Sequence, residues 1–156
     1  IFNNFILVFF ENHITNIDLK GVYMIESAGG IIPFICHIFL IFFGGFFSLN
    51  FIFNKNFVKN NIGFESPEAS FMGRSVGFLM IGSVLMLIAT LFQIGGYDST
   101  NEIFTALFIF LVLSSLHGFA LSFKIIATHD GSDWAMKQNI RPLIPLAVLI
   151  IRYFTL

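Results

Sequence analysis

VGFLMIGSVLMLIATLFQIGGYDSTNEIFTALFIFLVLSSLHGFALSFKIIA, residues 76–127, holds two long apolar runs around a short polar turn. Neither run, Val76–Ile94 or Ile103–Phe123, carries a formal charge. A helix rises about 1.5 Å per residue, so roughly 20 residues cross a hydrocarbon layer about 30 Å thick. Both runs reach that length. The turn between them, 95–102, contains Gly95, Gly96, Asp98, Ser99, Thr100 and Asn101. A soluble helix this long would show a polar stripe, and neither run has one. The stretch predicts a transmembrane helical hairpin.

The rest of the chain agrees. Its 156 residues are 56 % hydrophobic and 11 % charged, with a mean hydropathy of +0.87. Soluble domains carry about 25 % charge. The composition is that of an integral membrane protein, and the length allows one small domain. A net charge of -1 offers no basic face for nucleic acid. Cys36 stands alone, which excludes an internal disulfide and any cysteine-based metal site. The 23 phenylalanines, with abundant Ile and Asn, match A/T-rich codons. They raise the expectation of an organelle-encoded protein; phenylalanine as plain lipid-facing filler is the alternative. The first residue is Ile1, which suggests a fragment, a processed end or a non-standard start codon. The opening IFNNFILVFF lacks the basic flank and small-residue cleavage site of a signal peptide.

Taken in order, the chain divides into an extension (1–29), a three-helix core (30–127) and a second extension (128–156). The first extension is mixed, with an apolar start too short to span, and reads as interfacial. A first span covers about 31–53, interrupted only by Pro33, His37, Ser48 and Asn50. Pro33 falls in the first turn, where its missing N–H costs nothing. Gly44 and Gly45 thin the helix where a neighbour can approach. A polar connection, 54–75, leads to spans at about 76–95 and 103–126. The Gly73–Gly77 pair has GxxxG-like spacing, but at the helix entrance, so little weight falls on it. Trp134 is placed as an interfacial aromatic. Residues 142–156, PLIPLAVLIIRYFTL, are apolar but short. They are expected to pack on a neighbour or lie in the interface, with a tilted fourth helix as the alternative.

Lys55, Lys59 and Arg74 in the connection, and Lys124, Lys137, Arg141 and Arg152 after the third span, outnumber the single Lys20 before the first. The positive-inside rule then places the N-terminus and the 95–102 turn outside, and the 54–75 connection and the C-terminus inside.

Polar groups inside a span are costly and therefore candidates for function. His117 and Ser114, three residues apart on one face of the third span, are candidates for a proton path, with Ser115 turned away. A neutral imidazole bonded to a neighbouring helix is the competing explanation. His37 and His117 invite a bis-histidine haem, but their positions along their helices differ by roughly 10 Å. Ser83 and Thr90 can bond back to their own helix, and Gln93 lies near the membrane edge. No carboxylate falls inside a span. No P-loop, GxGxxG, HExxH, nucleophile elbow or acid pair is present. No catalytic residue, metal site or cofactor is expected of the chain alone.

Phe78–Ala89 (FLMIGSVLMLIA) and His117–Phe123 (HGFALSF) resemble chain 4L of NADH:ubiquinone oxidoreductase, the small three-helix subunit of respiratory complex I. Gly82 and Met86 fit its second helix, and Gly118, Phe119, Ala120 and Leu121 its third. Gly30–Asn50 fits its first. The likeness covers roughly residues 30–127. It implies a membrane-arm subunit of the mitochondrial inner membrane that packs between larger membrane subunits and lines a proton path. The family's two membrane glutamates fall on Val84 and Ser114, so both carboxylates are replaced; His117 would then take over part of the relay. The 54–75 connection is also longer than the family's turn. Two other readings compete: a succinate dehydrogenase membrane anchor holding haem or quinone through His37 or His117, and a purely structural respiratory subunit. Against an ATP synthase proton-channel subunit stands the lack of an arginine in any expected span.

Overall fold

The computed structural model describes residues 21–63, 66–97, 100–128 and 134–156. Most of the N-terminal segment expected to be interfacial, including Lys20, lies outside the described residues, as do Asp98 and Ser99. Helices run over Ile31–Phe53 (α1), Phe57–Ile62 (α2), Pro67–Leu91 (α3), Thr100–Ser122 (α4) and Ile140–Thr155 (α5). Among the described residues there is no strand. Three helices, α1, α3 and α4, are long and apolar enough to cross a membrane. The chain is an all-α, multi-pass membrane protein.

Helix α1 has the expected bounds. Helix α3 starts nine residues earlier than the apolar run. The Ser66 hydroxyl accepts the Ala69 N–H at 3.1 Å, Pro67 occupies the first helical position, and Glu68 lies in the first turn. Each favours initiation there. Arg74 is thereby inside a helix, exposed, rather than in a loop. The helix stops at Leu91 because Gln93 (φ 51°) and Gly95 (φ 71°) take left-handed backbone. Helix α4 ends at Ser122, four residues before the expected limit, and Lys124 follows with φ 56°. His117 is therefore five residues from the helix end, roughly 8 Å, and not near mid-span.

The larger departure is the C-terminal segment. It neither lies flat nor leaves the bundle: α5 is a fourth helix, antiparallel to α4. At its start Asn139 meets Gly118 and Ser122. At its end the Thr105 and Tyr153 hydroxyls lie 3.1 Å apart, and the Leu156 side chain lies against Gly29. Sixteen residues reach about 24 Å. Pro145 inside α5 cannot donate to the carbonyl four residues back. The packing outweighs that loss: Leu149 is fully buried against Leu40, Leu87, Phe104 and Leu111. The C-terminus thus shares the end of the bundle with the 95–102 turn, not with the 54–75 connection. Lys55, Lys59, Arg74, Lys124, Lys137 and Arg141 gather at one end. At the other, Arg152 is the one basic residue among those described, and it is buried.

Helix α1 packs on both α3 and α5, and α4 leans on α5. The sequential pair α3 and α4 meets loosely. An apolar cleft of about 280 Å³ opens between them, lined by Leu79, Leu87, Leu107 and Phe110 among others. The α1–α3 seam is set by glycine. A Cβ on Gly44 would lie 2.9 Å from Val84 Cγ2. A Cβ on Gly77 would lie 2.8 Å from Ile52 Cγ1 and 3.1 Å from the Ser48 carbonyl oxygen. One on Gly73 would lie 2.6 Å from Val58 Cγ2. The Gly73–Gly77 spacing, given little weight from sequence, is the contact surface of α3.

A polar clasp closes the basic end. Trp134 Nε1 donates to Asn139 Oδ1 at 2.9 Å, and Asn139 Nδ2 donates to Ser122 Oγ at 2.9 Å. Asn139 is 2 % exposed. Replacing Asn139 with Leu leaves a half-buried indole N–H and a half-buried hydroxyl without their partner. This should destabilise the chain by roughly 1–3 kcal/mol. Trp134 is the single tryptophan, so its emission in detergent should shift as the clasp opens. Unchanged emission and stability would count against the clasp.

Candidate functional site

Phe104 organises the polar interior. It is fully buried in the second turn of α4. The His37 ring meets it edge-on, centroids 4.9 Å apart at 87°. The Arg152 guanidinium lies over it, 3.9 Å from the ring centroid, in cation–π geometry. One aromatic side chain therefore holds a histidine from α1 and an arginine from α5.

His37 is 1 % exposed, and its Nε2 lies 2.8 Å from the Leu87 carbonyl oxygen. A carbonyl only accepts, so the proton sits on Nε2. The Thr90 hydroxyl donates to the same carbonyl at 3.1 Å. His37 thus joins α1 to α3 near the end that carries the 95–102 turn.

Arg152 is 2 % exposed. Its Nη2 donates to Asn101 Oδ1 at 3.3 Å, while Nε and Nη1 have no acceptor among the described residues. It lies at the base of a polar pocket of about 420 Å³. Glu26 and Glu102, both exposed, form part of the rim, and Thr100 and Asn101 of the first turn of α4 form one wall. The pocket is built where residues 26–29, just before α1, meet the start of α4 and the end of α5. No match was found among protein families, characterised proteins or solved structures.

The residues expected from sequence fall elsewhere. His117 is exposed on the outside of α4, and Ser114 is half-buried. Ser115, expected to turn away from that face, is the one that points into the bundle, its hydroxyl on the Leu111 carbonyl at 2.7 Å. The structure does not bring His37 and His117 together. His37 lies level with Phe104, and thirteen residues of α4 separate Phe104 from His117, about 20 Å along the helix. Ser83 bonds to the Leu79 carbonyl at 3.2 Å, satisfied within its helix as expected. Among the described residues no cluster of three metal-ligating side chains occurs.

Sequence reasoning missed Arg152 by counting it as a loop cation. The signal was present: an arginine inside the apolar run PLIPLAVLIIRYFTL is an ionisable group at membrane depth, which by default marks a site. The expectation that no span holds an arginine is corrected by Arg74, which lies inside α3, one of the three helices long enough to cross; Arg152 lies inside the shorter α5.

Proposed function

We propose that the chain is a non-catalytic membrane-arm subunit of a proton-translocating NADH:ubiquinone oxidoreductase of the mitochondrial inner membrane, packed between larger membrane subunits. One observation carries the reading: three uncharged apolar stretches in the family's order, with the resembling segments Phe78–Ala89 and His117–Phe123 lying on α3 and α4. The chain's own residues define its role within that reading. Val84, where the family has a glutamate, is buried, and Gly44 is fitted closely to it, which leaves a packing contact in place of a relay group. His117 and Ser114 lie on or near the outer surface of α4. A proton path that used them would run along the boundary with a neighbouring subunit. Helix α5 is an addition to the three-helix pattern and supplies the closure that a neighbour would otherwise provide.

Native electrophoresis of membranes from the source organism, read by mass spectrometry and in-gel activity, tests the assignment. The chain is expected to co-migrate with NADH dehydrogenase activity. In the purified complex, His117→Ala is expected to lower proton pumping while leaving NADH oxidation intact. Co-migration with succinate dehydrogenase activity and a haem spectrum would replace the reading with the anchor alternative. Unchanged pumping in His117→Ala would leave a spacer role alone.

A further inference from the structure

We propose that the pocket between residues 26–29, the start of α4 and the end of α5 seats the headgroup of a phosphoethanolamine lipid, phosphate on Arg152 and ammonium at the Glu26–Glu102 rim. Arg152 supplies the first argument. A guanidinium that is 2 % exposed and has two nitrogens without acceptors among the described residues is an incomplete structure. Buried charges are stable when they are paired and hydrogen-bonded. The Phe104 face and the Asn101 carbonyl oxygen satisfy part of the group, and neither is an anion. The missing component is an anionic oxygen that enters from the pocket.

The wall of the pocket supplies the second argument. Thr100, Asn101 and Glu102 are the opening residues of a 23-residue helix. The helix dipole is positive at that end. A phosphate seated on Arg152 lies beside that terminus, so two independent features favour negative charge at one place.

The rim selects among anions. Glu26 and Glu102 are exposed carboxylates that line the same pocket. They repel a simple anion and attract a cation placed further out. The sequence from base to mouth is cation, then anions. A zwitterionic headgroup with phosphate inward and ammonium outward is its complement. Depth is compatible, because the pocket lies beside the start of α4, which is long and apolar enough to cross a membrane, and an end of such a helix belongs near the headgroups; Ala28 and Leu156 are apolar lining beside it. A primary ammonium donates hydrogen bonds to carboxylates, whereas the quaternary ammonium of choline lipids has no N–H to give. The rim should therefore discriminate between the two. The inference stands on the pocket alone and does not depend on the respiratory assignment.

The test is native mass spectrometry of the full chain in detergent, titrated separately with phosphatidylethanolamine, phosphatidylcholine, phosphatidylglycerol and inorganic phosphate. Wild type is expected to retain phosphatidylethanolamine about tenfold better than the other two lipids. Arg152→Gln should abolish that preference, and Arg152→Lys should keep part of it. Glu26→Gln with Glu102→Gln, both exposed and outside the packed interior, should leave helicity unchanged. They should weaken phosphatidylethanolamine binding and improve phosphatidylglycerol binding. Equal retention of all three lipids, or undiminished phosphatidylethanolamine binding by folded Arg152→Gln or Arg152→Lys chains together with an unaffected rim variant, would overturn the proposal. Complete displacement by inorganic phosphate at matched concentration would reassign the pocket to free phosphate. Cross-linking of the pocket to a neighbouring subunit's carboxylate, with no lipid retained, would assign it to a protein partner instead.

Discussion

Replacing Phe104 with Ala is expected to destabilise the chain by roughly 3–5 kcal/mol, the range for a fully buried aromatic truncated to a methyl. Three helices converge on that ring. It takes the edge of His37 from α1 and the face of Arg152 from α5, and it belongs to the cluster of Leu40, Leu87, Leu111 and Leu149. Inside a bilayer, lipid is as apolar as the cavity lining, so the loss comes from packing and not from transfer to water. The charge adds to it, because Arg152 would lose its nearer aromatic face and keep Asn101 and the more distant Tyr153 ring, 5.8 Å away. Phe104→Leu should cost less, since it keeps volume but not the π face. Unfolding of the full chain in mixed micelles measures both. A Phe104→Ala chain as stable as wild type would refute the convergence.

Gly77→Leu is expected to separate α1 from α3. A Cβ alone would come within 3.1 Å of the Ser48 carbonyl oxygen and 2.9 Å of Phe51 Cβ, neither of which can swing aside as a flexible side-chain tip can. Overpacking usually costs about 1–3 kcal/mol, and a backbone obstacle places this case at the upper end or beyond. The contrast is five residues away. Gly82 is exposed, and nothing lies within 4 Å of its hypothetical Cβ. Gly82→Leu should therefore be neutral in the isolated chain. The pair also separates intramolecular from intermolecular contacts: if Gly82→Leu is neutral alone but blocks incorporation into a larger complex, Gly82 faces a neighbouring subunit. Equal destabilisation by both substitutions would contradict the seam described here.

The class of the protein was legible because it rests on length and charge. Runs of twenty uncharged apolar residues have few stable settings outside a bilayer, and the bounds of α1 followed from its run alone. The ends of α3 and α4 were less legible because local chemistry sets them. Ser66 and Pro67 start α3 inside what read as a polar connection, and Gln93 and Lys124 end helices through left-handed backbone in stretches that remain apolar. Helix α5 was misplaced for a different reason. Its length falls below a full span, while the features that hold it in the bundle are all tertiary: Leu149 in the cluster, Asn139 in the clasp, and Arg152 on Phe104. The candidate site shared that fate. Histidines were weighed as functional residues because their chemistry is versatile, yet His117 points outward and His37 is tied to a carbonyl. The least satisfied polar group is an arginine that sequence reading counted only as a topological marker.

The position of α5 in the chain order has a consequence for biogenesis. Helix α4 leaves the ribosome before its principal partner exists, since it rests on α5 and meets α3 only loosely. The first three spans can insert one after another, but the interior around Phe104 remains unfinished, facing acyl chains, until the last sixteen helical residues are made. Maturation of this bundle thus waits on α5, and a ribosome that stalls before Ile140 would leave α4 stranded in lipid.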